Sequence, residues 1–172
     1  MVLRKQVITK IALGLALIVL AAGVAVVLQD VLASRQPEYA LPSLAVYYGG
    51  GDGVQGERLP TASVITGGYN WRFLFSRKSG HVTQPETWRG LDGSWVPPGA
   101  ALELEFTTLP ESISLSVHAE AEGSEENADF VALGGNLQAP REVPGTYTYR
   151  IEADFGTGRQ VEYFFKIRVP QW

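Results

Sequence analysis

Trp71, Trp88 and Trp95 lie in one stretch of the chain, interleaved with Arg72, Arg77, Lys78 and Arg89. Indole supplies a broad apolar face, a stacking surface and one N–H donor, so exposed tryptophan suits protein hot spots and sugar rings alike. A guanidinium beside it adds a partner for a carboxylate. Trp71 has strand-like neighbours and is expected in the core. Trp88 and Trp95 are flanked by turn formers, and with Arg89 they are the candidate contact residues for a partner. The competing expectation is that each indole only seals a loop onto the domain beneath it.

The other reactive side chains do not form a catalytic pattern. His81 and His118 are the only histidines, short of the three or four convergent ligands of a zinc site. His118 shares its strand side with Ser114 and Ser116 and is expected to face solvent. Neither histidine stands beside a serine-hydrolase motif, and no Gly-x-Ser-x-Gly elbow occurs. Glu103, Glu105, Glu152 and Asp154 fall on outward faces of alternating segments, not as a facing glycosidase pair. The glycines between 49 and 56 lack the Gly-Lys-Ser/Thr ending of a phosphate loop. The acidic run Glu120, Glu122, Glu125, Glu126 and Asp129 lacks the spacing of a helix-loop-helix calcium site. The chain has no cysteine, which excludes disulfides, a thiolate nucleophile, cysteine-ligated metal and lipidation through cysteine. No catalytic, metal or cofactor-binding residue is assigned.

The elements that must position the tryptophans read as strands. Residues 44–48 form a first candidate, and 62–66 and 69–75 follow as two more, separated by Gly67 and Gly68. Residues 76–98, rich in glycine and proline, read mostly as loop with at most one edge strand. In 101–107, Leu102, Leu104 and Phe106 alternate with Glu103 and Glu105, the period of a half-buried strand. Ile113, Leu115 and Val117 repeat it, and 130–133 is a further short candidate. The strongest local pattern is a C-terminal hairpin turning at Gly156 and Gly158. Tyr147, Tyr149, Ile151 and Ala153 line one strand, and Val161, Tyr163, Phe165, Ile167 and Val169 line the other. Phe164 falls on the outer side with Glu162, Lys166 and Arg168. An apolar face on every strand requires a second sheet to cover it, which points to a β-sandwich.

Ahead of this domain, residues 11–28 carry no charge or strongly polar side chain. As a helix they span about 27 Å, close to a hydrocarbon core of about 30 Å. Arg4, Lys5 and Lys10 precede the run and Asp30 follows it, so the short N-terminus is expected in the cytoplasm and the remainder across the membrane. Val31 and Ala33 also suit a signal peptidase cutting before Ser34, which leaves secretion as the alternative. After Ala33 the chain has eleven Lys and Arg against seventeen Asp and Glu, a net charge of −6. An acidic domain without a basic cluster argues against nucleic acid and against anionic surfaces generally.

From residue 136 onward the chain reads NLQAP, PGTYTY, a glycine turn and VEYFFKIRV. With Gly68, Tyr69, Asn70 and Trp71, and with Pro98 and Gly99, this resembles an uncharacterised family of small immunoglobulin-like, membrane-anchored or secreted envelope proteins of Gram-positive bacteria. The resemblance covers most of the chain after Thr61. It implies an immunoglobulin-like sandwich and carries no catalytic residues. The cysteine that some relatives place before their tryptophan is missing here.

Together these readings give an all-β, immunoglobulin-like β-sandwich after one N-terminal transmembrane helix. Its parts are a cytoplasmic segment 1–10, a transmembrane helix or uncleaved signal anchor 11–32, a linker 33–42 and an extracytoplasmic domain 43–172. The expected function is a non-enzymatic envelope module touching a protein or a cell-wall glycan. The alternatives are an accessory subunit of a membrane complex and, least supported, an envelope hydrolase. Oligomeric state is left open. Protease added to intact spheroplasts should remove the domain and leave an N-terminal membrane fragment. A domain protected until lysis would defeat the orientation, and a mature soluble chain starting at Ser34 would establish cleavage.

Overall fold

The computed structural model describes residues 2–49, 59–61, 63–120, 130–134 and 137–171, with side chains from Lys10 onward. The glycine-rich stretch 50–58 and residues 121–129 of the acidic run lie outside the described residues. Helix α1 (Val2–Arg35) precedes ten strands: β1 (Leu44–Tyr48), β2 (Leu59–Pro60), β3 (Val64–Arg72), β4 (Arg77–His81), β5 (Ser94–Trp95), β6 (Leu102–Phe106), β7 (Ser112–Glu120), β8 (Val131–Ala132), β9 (Gly145–Asp154) and β10 (Gln160–Val169). Within α1, residues Lys10–Arg35 are long and apolar enough to cross a membrane, and none of that window is buried. This supports a single-pass membrane topology.

The strands form two sheets that do not close into a barrel. The smaller runs β2-β1-β6, and the larger runs β4-β3-β10-β9-β7-β8. The β9–β10 hairpin is paired without interruption from Gln160↔Asp154 to Val169↔Gly145. Its turn needs positive φ at Gly156 (73°), Thr157 (53°) and Gly158 (74°), which explains the two glycines. On its other edge β10 pairs with β3 up to Phe165 and then with β5, in parallel, at Ile167 and Arg168.

The core follows the alternation of the hairpin. Tyr147, Tyr149, Ile151 and Ala153 of β9 and Val161, Tyr163, Phe165, Ile167 and Val169 of β10 are buried with Leu44, Val46 and Leu102 of the small sheet. Tyr149 and Phe165 stack at 4.8 Å, and Phe106 meets Tyr163 edge-on at 5.8 Å across the sheets. Each buried phenol has an acceptor: Tyr163 donates to the Pro42 carbonyl (2.7 Å), Tyr147 to Val143 (2.7 Å) and Tyr149 to Gln138 (3.3 Å). Burial raises the pKa of all three phenols above the ordinary range, with Tyr147 adding to the effect on Tyr149. Trp71 belongs to this core, edge-on to Phe155 at 5.5 Å, with the Arg159 guanidinium over its ring.

Three expectations are corrected. The candidates 62–66 and 69–75 form one strand, β3, with Gly67 and Gly68 inside it. The pair forms a bulge opposite Glu162, where the register shifts. Glycine is required at 67 because a Cβ there would stand 2.7 Å from the Phe164 ring and 2.8 Å from the Glu162 carboxylate. Residues 76–98 hold two strands, β4 and β5, and a 3-10 turn at Thr87–Gly90, more structure than the glycine and proline content suggests. Phe164 does not face solvent: it is 7% exposed, because chain from 83–90 and Phe130 covers the outer face of the large sheet.

Phe165→Ala should lower the stability of the detergent-extracted chain by roughly 3–5 kcal/mol, the usual range for deleting an enclosed aromatic. An unchanged denaturation midpoint would refute the inward face assigned to β10.

Candidate functional site

Strand period places Ser116, His118 and Glu120 of β7, Thr148 and Arg150 of β9, and Phe164 and Lys166 of β10 on the outer face of the large sheet. Cross-strand register then groups them. Ser116, Arg150 and Phe164 share one row, and His118, Thr148 and Lys166 the next. Over this face folds the segment after β4. Its start is pinned by Val82 N–H to the Gly67 carbonyl (3.0 Å) and the Thr83 hydroxyl to the Thr66 carbonyl (2.8 Å). Glu86, at a φ of 73°, reverses the chain into the 3-10 turn that carries Trp88 and Arg89.

Trp88 comes down onto an aromatic cluster. Its ring stacks with Phe164 at 6.2 Å and meets Phe130 at 5.3 Å and His118 at 5.9 Å, both edge-on. The Arg150 guanidinium lies 5.0 Å from the Phe130 ring centre and is held by Glu152 (3.4 Å) and Glu162 (4.0 Å). Arg89 is exposed, with its guanidinium 5.4 Å from the Trp88 ring and 3.4 Å from the Glu86 carboxylate. Below the cluster, Lys166 is 4% exposed and is paired with Glu120 at 2.6 Å. Its ammonium also donates to the Arg89 carbonyl (2.8 Å), and the Thr148 hydroxyl donates to Glu120 (3.3 Å). One buried cation thereby ties the Trp88 turn to two strands.

Two depressions open on this face. A cleft of about 230 Å³ lies between the 83–88 segment and the sheet, lined by Gly67, His81, Glu86, Trp88, Arg150 and Phe164 among others. Its walls combine ring faces with the Arg150 guanidinium and the carboxylates of Glu86 and Glu162, suited to a planar or ring-shaped group. A polar groove of about 420 Å³ sits nearer the β9–β10 turn, lined by Asn70, Ser112, Ser114, Glu152, Asp154 and Gln160 among others. Several of these satisfy one another, with Ser114 donating to Glu152 and Gln160 to Asp154, both at 3.3 Å. Among the described residues, no three His, Cys, Asp or Glu side chains converge into a group that could hold a metal.

The three candidate contact residues have different surroundings. Trp88 is half-buried and caps the cluster, Arg89 is exposed beside it, and Trp95 is 62% exposed on β5 with the Arg168 guanidinium 5.9 Å from its ring centre. Phe130, Arg150, Lys166 and Glu120 were not picked out from the sequence. The available signal was Phe164, an aromatic at a position that alternation assigns to solvent. Comparison with protein-family models, curated proteins and solved structures returns no match.

Removing the carboxylate of Glu120 leaves the Lys166 ammonium with the Arg89 carbonyl but no counter-charge. Because Glu120 is itself 36% exposed, Glu120→Ala should cost about 1–2 kcal/mol, below the roughly 3–5 kcal/mol of a fully buried pair. Glu120→Ala combined with Lys166→Met should recover most of that loss in the same denaturation measurement. Additive losses in the double variant would show that the pair is not coupled.

Proposed function

We propose that this chain is a single-pass, non-enzymatic envelope module whose β domain stands outside the cytoplasm and binds a protein or cell-wall glycan. The observation that carries the reading is the exposed indole of Trp95 with Arg168 over its ring, at the far end of the large sheet from α1. Arg168 pairs with Trp95, whereas Gln160 pairs with Asn70 near the helix. The eight residue steps from Gln160 to Arg168 put the Trp95 end about 26 Å further along β10. An aromatic raised away from the anchor is available to partners that approach from outside. The exposed Arg89 and the ring edge of Trp88 extend this surface.

Arg4, Lys5 and Lys10, at the start of α1 ahead of its apolar run, support the orientation. The Tyr147 hydroxyl reaches back to the carbonyl of Val143, four residues upstream. A comparable tyrosine bond is a feature of immunoglobulin-like sandwiches, and it supports that assignment for the two packed sheets.

The test compares Trp95→Ala with Trp88→Ala in the detergent-extracted full-length chain. Trp95→Ala should leave thermal stability nearly unchanged and weaken retention on cell-wall material or on immobilised envelope extract. Trp88→Ala should lower stability, because it opens the Phe130–Phe164 cluster. Undiminished retention by Trp95→Ala would remove this surface from consideration.

A further inference from the structure

The turn between β3 and β4 meets α1 at the level where its apolar run ends. The Leu74 backbone N–H donates to the Asp30 carboxylate at 3.0 Å. Asp30 lies two residues past Leu28, about 3 Å along the helix axis. Ala33, one turn further on, packs against the domain core. The tip of the turn therefore sits beside the boundary between apolar helix and polar flank.

Its side chains are unusual for a soluble hairpin. Leu74 is 63% exposed and Phe75 70% exposed, next to one another. On both sides stand exposed cations, Arg72 before the tip and Arg77 and Lys78 after it. Residues 70–80 contain no acid. The loop joining β6 to β7 lies at the same end of the domain, since the Thr107 N–H bonds to Ser43 and the Glu111 N–H to Asp154. It presents Leu109 at 85% exposure. The domain is acidic overall and the β6–β7 loop carries Glu111, but the β3–β4 turn joins its apolar tip to a local cationic rim.

We infer that the β3–β4 turn is a second membrane contact, with Leu74 and Phe75 entering the head-group layer and Arg72, Arg77 and Lys78 pairing with lipid phosphates. The inference rests on α1 spanning the bilayer. Leucine and phenylalanine gain by leaving water for the acyl boundary, and long basic side chains reach up to the phosphates from such a position. The carboxylate of Asp30 fixes the depth of the tip through its bond to Leu74. A helix and a turn gripping the same leaflet hold the domain at a set tilt, where a lone helix would let it swing.

The absence of cysteine permits single-site labelling of the full chain. Leu74→Cys carrying an environment-sensitive fluorophore is reconstituted into vesicles of phosphatidylcholine and phosphatidylglycerol containing a lipid with a shallow acyl-chain quencher. Leu20→Cys, inside the apolar run, and Val131→Cys, on the exposed β8, serve as reference sites. The label at 74 should be quenched and blue-shifted and the label at 131 should not. Adding Phe75→Ser, or Arg72→Gln with Arg77→Gln and Lys78→Gln, should reduce the quenching at 74 while the thermal midpoint stays in place. Quenching at 20 without quenching at 74 would overturn the second contact and leave the anchor intact. No quenching at 20 would overturn the anchor and, with it, the contact.

Discussion

Strand β10 is buried on both faces, and this constraint organises the domain. Tyr163, Phe165 and Ile167 point into the core between the sheets, while Phe164 and Lys166 point the other way and are almost as enclosed. A strand with two apolar faces needs cover on each side. The small sheet supplies one cover. The other is irregular chain, the segment 83–90 with its Trp88 turn and the residue Phe130. The same strand has pairing partners along both edges, β9 on one and β3 then β5 on the other. The bulge at Gly67 and Gly68 also belongs to this arrangement, because Phe164 and Glu162 occupy the space that a side chain at 67 would need.

The outer cover differs in kind from the core. Three rings, a histidine and a guanidinium meet there at 5–6 Å, with the Lys166–Glu120 pair beneath. An ion pair enclosed on the lysine side gives little net stability, but it penalises arrangements that leave the buried ammonium alone. Lys166 reaches both Glu120 and the Arg89 carbonyl at once. The pair thereby fixes where the Trp88 turn lands, and the aromatic contacts supply the adhesion. The depth and lining of the cleft beside Trp88 depend on that landing position.

The alternation of Tyr147 through Val169 revealed the hairpin, its inner row and its turn, because period-two patterning is local and the turn glycines are diagnostic. The anchor helix was legible for a similar reason, as an uninterrupted apolar run. Gly67–Gly68 looked like a break, since a bulge and a turn use the same residue and only the partner strand distinguishes them. Phe164 was assigned to solvent by parity. Its cover comes from residues 88 and 130, and no short-range pattern encodes contact across such separations. Trp88, Trp95 and Arg89 stood out by residue type and by the turn formers around the two indoles. Their unlike environments depend on where Glu86 reverses the chain and on β5 joining β10 in parallel, and neither event has a sequence signature.

The position of β10 in chain order has a consequence for biogenesis. It is the last of the described strands to be synthesised, yet β3, β5 and β9 all pair with it. Until it emerges, the β3–β4 and β7–β9 pairs have no strand to join them into one sheet, and the outer face has neither Phe164 nor Lys166 to receive the Trp88 turn. β3 and β9 must each wait with one edge unpaired, a condition that favours slow, non-local assembly and exposes the chain to association. The same delay leaves the large sheet in two separate halves until the last of the described strands is made.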